Sequence, residues 1–376
     1  MSPLSTPIDL PQPARLIFGG GTVGEVGRWL ETRHVKRVLV VSDPYNAARV
    51  DVLGLTVTPT VWSDLRSEPD TSHLAAVLAL AEESEAEAIV GFGGGSAMDL
   101  AKLAAVLPNS GQAFMEVVGP EKVARKGALL VQVPTTAGTG SEIGTRALVT
   151  DPATSAKCAV QSLHMLADLA VVDPDLALGM PQALTVATGV DAMAHCVEAF
   201  TNKKAHPLID LYALEGIRLV GRWLPVAAQD PNHREARAGL ALASLYGGYC
   251  LGPVNTAAGH AVAYPLGTRF HVPHGAANAL IFPHVLAFNA PAAPDKTALI
   301  LAALGLAASS DPATVFAAAH GWCRDLGCEM RLSAYGVAEN DMAVMAREAH
   351  AIRRLLDNNP RDLSEADILA IYRAAA

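Results

Sequence analysis

The chain has 376 residues, with a net charge of −9, 51% hydrophobic, 17% charged and only 5% aromatic residues. That composition buries a sizeable core and excludes a disordered or disulfide-stapled chain, and the mild acidity argues against a nucleic-acid binder. No secretory leader and no uninterrupted apolar run of ~18 residues is read, so membrane insertion is not expected. Five cysteines without CxxC spacing point to reduced thiols and a cytoplasmic protein.

In chain order, the first half alternates strand-like and helix-like stretches. Residues 37–42 (RVLVVS) form a β-branched run that ends at Asp43, and residues 72–85 carry Leu74, Val77 and Leu80 at helical spacing. Residues 88–92 (AIVGF) predict a buried parallel strand; Gly93, Gly94 and Gly95 follow, and Ser96 opens a helix that runs to Val106. Residues 129–133 predict the next strand, leading into Pro134 and a loop rich in threonine and glycine. This rhythm predicts a Rossmann-like parallel sheet with helices on its faces. From about Pro181 the pattern turns helical, over 182–200, 207–223, 235–250, 296–308, 312–326 and 364–374. The predicted organisation is an α/β domain over 1–181 and an all-α domain over 182–376.

Two loops at predicted strand ends suit a nucleotide. Gly93–Ser96 lets backbone approach a phosphate at a helix N-terminus, although the same residues read equally as a tight βα turn capped by Ser96. The following loop, 134–142, holds four hydroxyl side chains and two glycines at the edge where open α/β sheets bind ligands. Asp43 is placed either to accept from a ribose or to serve as a turn residue before Pro44.

Asp191 and His195 are four residues apart on a predicted helix and share a face. Such a pair also fits an internal hydrogen bond. His260 and His274, 14 residues apart among small and apolar residues, add two imidazoles. One carboxylate with three imidazoles is a donor set for a divalent transition metal such as Fe(II) or Zn(II). The other histidines considered, among them His164, His206, His233, His284, His320 and His350, read as structural or surface residues.

Taken together, AIVGFGGGSAMDLAK (88–102), VPTTAGTGSE (133–142), ATGVDAMAHCVEAF (187–200) and PHGAANALIFPHVLAFN (273–289) resemble the iron-containing, metal-dependent alcohol dehydrogenase family. The resemblance runs from Phe18–Val23 to Asn359–Arg361. It implies a dehydroquinate synthase-like architecture with the active site in the cleft between the two domains. It also implies hydride transfer between NAD or NADP and a small alcohol, aldehyde or hydroxyacid, in a homodimer or higher oligomer. Carried over residue by residue, it makes Asp191, His195, His260 and His274 the metal ligands, and Gly94, Gly95 and Ser96 the pyrophosphate turn. Thr135, Thr136 and Thr139 become the cofactor loop, Lys157 the lysine that reaches the ribose, and Asp43 the acid that favours NAD over NADP. Where many members carry a further histidine near the nicotinamide, this chain has Tyr264, a poor base at neutral pH that orients or relays a proton. His271 is the alternative relay. Competing readings are a metal-free maleylacetate reductase-like or a hydroxyacid–oxoacid transhydrogenase-like enzyme, a lyase of the dehydroquinate synthase group, and a non-catalytic NAD-binding protein.

Overall fold

The computed structural model describes residues 3–65, 68–153 and 156–376. The described residues form two compact units, one within 11–178 and the other within 179–376 together with 3–10.

The α/β unit holds a six-stranded, all-parallel sheet. Its strands are β1 (Leu16–Phe18), β2 (Val38–Ser42), β3 (Thr60–Trp62), β4 (Ala88–Gly93), β6 (Leu129–Pro134) and β9 (Leu169–Val172), in the order β1-β9-β6-β4-β2-β3. Every residue of β2, β4 and β9 is buried, which is why these runs are continuously apolar rather than alternating. A second sheet, absent from the sequence expectation, joins β5 (Gly119–Pro120), β7 (Arg146–Asp151) and β8 (Ala156–Gln161) in the order β5-β8-β7. The helices of this unit are α1 (Glu25–Glu31), α2 (Pro44–Ala47), α3 (Thr71–Glu83), α4 (Gly95–Val106) and α5 (Phe114–Val117). Strand β3 lies on one side of β2 and β4 on the other, so the order in which strands are added reverses between β2 and β4. In an open α/β sheet, ligands bind beyond the strand ends at such a reversal.

The helical unit contains α6 (Gln182–Thr201), α7 (Pro207–Gln229), α8 (Arg234–Leu251), α9 (Ala258–Phe270), α10 (His274–Asn289), α11 (Pro294–Ala303), α12 (Pro312–Asp325), α13 (Glu339–His350), α14 (Arg353–Leu356) and α15 (Glu365–Ala374). Two boundaries differ from expectation by more than two residues. Helix α7 continues past Trp223, through Pro225, to Gln229. Helix α11 stops at Ala303 instead of 308, because Gly305 turns to φ +81° and the Leu306 amide donates back to Leu301. Among the described residues no helix is long and apolar enough to cross a membrane.

Candidate functional site

In the α/β unit the reversal point is built from the ends of β2, β4 and β6. Ser42 pairs with Phe92 and Gly93 with Pro134, which sets three loops side by side. Asp43 caps α2: its Oδ1 accepts from the Asn46 amide at 3.0 Å and its Oδ2 from the Asn46 side chain at 2.5 Å. The same Asn46 Nδ2 donates to Thr135 Oγ at 3.1 Å, tying the acid to the threonine loop. The cap of α4 is Gly94, not Ser96, and no side chain caps it. The first amides of α4 thus lack a side-chain acceptor, a ready anion site. A Cβ on Gly95 would lie 2.7 Å from Thr139 Cγ2, so only glycine lets the two loops close on each other. Thr136 lies beside Gly94. Lys157, on β8, is ion-paired with Glu68 at 2.8 Å.

Behind these loops sits a buried group of residues that sequence reasoning passed over. Lys102 Nζ donates to Ser141 Oγ at 2.6 Å and to the Arg146 carbonyl at 2.8 Å, and it lies 3.4 Å from Asp99 Oδ1. Ser141 Oγ donates to Asp99 at 2.6 Å, so the lysine and aspartate of α4 hold the far end of the threonine loop. The Asp99/Lys102 spacing of three on a helix was the available signal. Neighbouring Glu142 is buried, and burial pushes its carboxyl up to about 7 against the pull of Lys102.

In the helical unit, α6 presents Asp191, His195 and Glu198 along one face, α9 contributes His260, and α10 contributes His274 and Asn278. Three imidazole Nε2 atoms converge on the single oxygen Asp191 Oδ1, at 3.6 Å (His195), 3.4 Å (His260) and 3.4 Å (His274). The His195 and His260 rings stack at 4.8 Å. Burial opposes charge on Asp191, yet His195, His274 and the hydrogen bond from His260 hold its carboxyl far below the usual range. His260 likewise resists charging by burial, but Glu198 and Asp191 push it up to about 10.

Glu198 is the main residue missed from sequence. Its Oε1 lies 2.5 Å from His260 Nδ1, and it accepts the backbone amides of Ala257 and His260. A carboxylate on α6 thereby caps α9, whose own cap residue Ala257 has no side chain for the task. Gly259 is required there, since a Cβ would fall 2.7 Å from Glu198 Oε1. Asn278 was also passed over. Its Nδ2 donates to Asp191 Oδ1 at 2.8 Å and sits 3.3 Å from Nε2 of both His260 and His274, while its buried Oδ1 has no hydrogen-bond partner.

These residues fit a divalent ion. Four donors at about 2.1 Å from a common tetrahedral centre stand about 3.4 Å apart; the three nitrogens keep that spacing from Asp191, and the donor atoms of Asp191, His195 and His260 all lie within 4.8 Å of one another, a group that His274 borders without joining. With an ion bound, Glu198 on Nδ1 would hold the proton there and leave the Nε2 lone pair of His260 for the metal. Asp191, His195 and His260 are buried, whereas the His274 side chain is 31% exposed, so the cluster opens to solvent on the His274 side. Tyr264 flanks that side, its ring 5.9 Å from His274 and 6.4 Å from His260. His271 does not join it: this residue is exposed, ends α9 at φ +54°, and shares no hydrogen bond or ring contact with the cluster among the described residues.

Known families match both units. The "Iron-containing alcohol dehydrogenase" family matches residues 13–174, and "Fe-containing alcohol dehydrogenase family, C-terminal" matches residues 185–376. The chain belongs to the iron-containing alcohol dehydrogenase family. It is 33% identical to long-chain-alcohol dehydrogenase 1 of Geobacillus thermodenitrificans, with 96% of each chain covered. Among solved structures it is similar to a 1,3-propanediol oxidoreductase (31% identity, TM-score 0.93, covering 99% of this chain and 100% of that one). It is also similar to the sulfoacetaldehyde reductase of Bifidobacterium kashiwanohense in complex with NAD+ (26% identity, TM-score 0.90, 99% of each chain). As a family member the chain is an NAD-linked alcohol and aldehyde oxidoreductase, with an α/β unit followed by a helical one.

Proposed function

We propose that this dehydrogenase is metal-dependent and interconverts a small alcohol and its carbonyl compound: alcohol plus NAD+ gives carbonyl, NADH and a proton. The observation that carries the reading is the convergence of His195, His260 and His274 on one oxygen of Asp191. These four residues would hold the ion, Fe(II) ahead of Zn(II). When bound, the metal supplies Lewis-acid polarisation of the reacting oxygen, and the nicotinamide supplies or accepts the hydride.

The remaining roles belong to the chain. The uncapped start of α4 at Gly94, Gly95 and Ser96 binds the pyrophosphate, and Thr135, Thr136 and Thr139 hydrogen-bond the dinucleotide beside it. Asp43 faces the adenine ribose, where its charge repels a 2′-phosphate and favours NAD over NADP. Lys157 reaches the ribose on exchanging Glu68 for it. Tyr264 flanks the exposed side of the cluster, where its hydroxyl orients the substrate and relays the proton. The exposure of His271 speaks for Tyr264 over His271 in that role.

The five free cysteines fit the reducing cytoplasm, and a homodimer or larger oligomer follows the family, with sedimentation velocity as its test. The deciding experiment is metal analysis by mass spectrometry followed by NADH-linked assays at 340 nm. Close to one Fe or Zn per chain, with activity lost on chelation and restored by the ion, is the expected result. Full turnover by metal-free protein would overturn the reading.

A further inference from the structure

Helices α6, α9 and α10 line a cavity of about 20 Å³ next to the histidine cluster. That is room for one water, which needs on the order of 10–15 Å³. Much of the wall is apolar, with Val197, Phe282 and Val285 in it, and its polar residues are Glu198, Thr201, Asn278 and Asn289. Two of these are already engaged. Thr201 Oγ1 donates to the Val197 carbonyl at 3.0 Å, and Asn289 exchanges hydrogen bonds with Asn359 at 3.0 Å and 2.7 Å. The other two have capacity left. Asn278 Oδ1 is buried and has no hydrogen-bond partner among the described residues, and a buried carbonyl oxygen left so is costly. The Glu198 carboxylate meets the His260 ring nitrogen and the amides of Ala257 and His260, three donors for a group with about four acceptor sites. Two acceptors on a space for one molecule call for two donors, which water has. A hard cation would want about six oxygens.

We propose that this cavity is a binding site for a single internal water, which donates to Asn278 Oδ1 and to the Glu198 carboxylate. The consequence lies in which end of the Asn278 carboxamide faces the cluster. Its Nδ2 donates to Asp191 Oδ1 at 2.8 Å and sits 3.3 Å from Nε2 of both His260 and His274. The two ends of a carboxamide are nearly the same size, so hydrogen bonding rather than packing chooses between them. Turned over, the group would set its own oxygen against Asp191 Oδ1, acceptor against acceptor. A water donating to Asn278 Oδ1 keeps the amide end on Asp191. The same water rests on Glu198, whose other contacts hold His260. Asp191 on α6 and His260 on α9 are thus steadied by one network, and Asn278 is a positioning residue that acts through Asp191. The water site stands on the packing of the helical unit alone; its effect on ion affinity rests on the metal-dependent reading.

The test has two readouts. The first is a crystal structure of the wild-type protein at a resolution that shows ordered water. A water within hydrogen-bond distance of both Asn278 Oδ1 and a Glu198 carboxylate oxygen is the expected result. A dry cavity, or a water that touches only one of the two, overturns the proposal. The second readout is Zn(II) affinity, measured by competition with a chromophoric chelator in Asn278→Ala, Glu198→Ala and the double variant. Each single change should weaken binding by roughly tenfold or more, and independent supports would multiply to roughly 100-fold or more in the double variant. A double loss smaller than the product of the single losses by about threefold or more supports the shared network, and a loss nearer the product refutes it. If the wild type binds no Zn(II), the metal-dependent reading fails on that result, and the crystal structure still decides the water, as it does if either variant fails to fold.

Discussion

Glu198 stands behind His260 and touches nothing on the open side of the cluster, yet it fixes which imidazole nitrogen faces Asp191. Carboxylates behind ligating histidines typically change metal affinity by about 10–100-fold. Glu198→Gln is accordingly expected to weaken Zn(II) binding by about that factor, read by competition with a chromophoric chelator. Glu198→Ala should weaken it further, because α9 also loses its cap. Unchanged affinity in both variants would show that the pair is only structural. Glu142 gives a prediction of a different kind. Its carboxyl rises from an ordinary 4.5 to about 7 on folding. A raised carboxyl favours the folded state fully below about pH 4.5, and that contribution is lost as pH climbs through 7. Urea unfolding is therefore expected to show stability falling between pH 5 and pH 8 by on the order of 1–3 kcal/mol more in the wild type than in Glu142→Gln. Parallel pH profiles would refute it.

At the level of elements, the cluster depends on how closely α6 and α10 approach. A Cβ on Gly275, next to His274, would lie 2.0 Å from the Ala187 carbonyl oxygen. Gly275→Ala must push the helices apart, at a cost of about 1–3 kcal/mol, and should carry His274 away from Asp191. Gly321 in α12 has open space at the same position, so Gly321→Ala should be neutral or stabilising by about 0.5–1 kcal/mol. Thermal melts of the two variants check the contrast, and equal losses would contradict it. Much of this geometry was legible in the sequence. The spacing of Asp191 and His195 gave a shared helix face, and the strand-to-glycine transition at Phe92–Gly95 gave the turn. What stayed hidden involves distant partners. Glu198 reads as an ordinary polar position until His260, 62 residues on, is folded against it. Lys102 reads as a solvated lysine until Ser141 and the Arg146 carbonyl enclose it. Helices α9 and α10 carry no clear amphipathic signal, since each holds an internal proline and α10 is buried almost all round. The short strands β1, β3 and β5 are too brief for any periodicity to register.

At the scale of the whole molecule, the proposed cofactor and metal groups lie in different compact units, so each ligand should stabilise its own. In hydrogen-exchange mass spectrometry, NAD is expected to slow exchange first over 93–97 and 135–142, and Zn(II) over 191–198 and 257–278. Protection by either ligand confined to the other unit would reassign the sites. The interior of the helical unit also governs which ions can compete for the cluster. Cys196 follows His195 directly, but a helix turns ~100° per residue. Its buried sulfur points at Gly216 of α7, where a Cβ would sit 2.5 Å from Sγ. The second thiol, Cys250, hydrogen-bonded to it, is fully buried as well. Among the described residues no cysteine joins the group of donor atoms formed by Asp191, His195 and His260. A thiophilic ion such as cadmium or copper(I) is accordingly expected to compete weakly for these nitrogen and oxygen donors, because the neighbouring cysteine faces away from them.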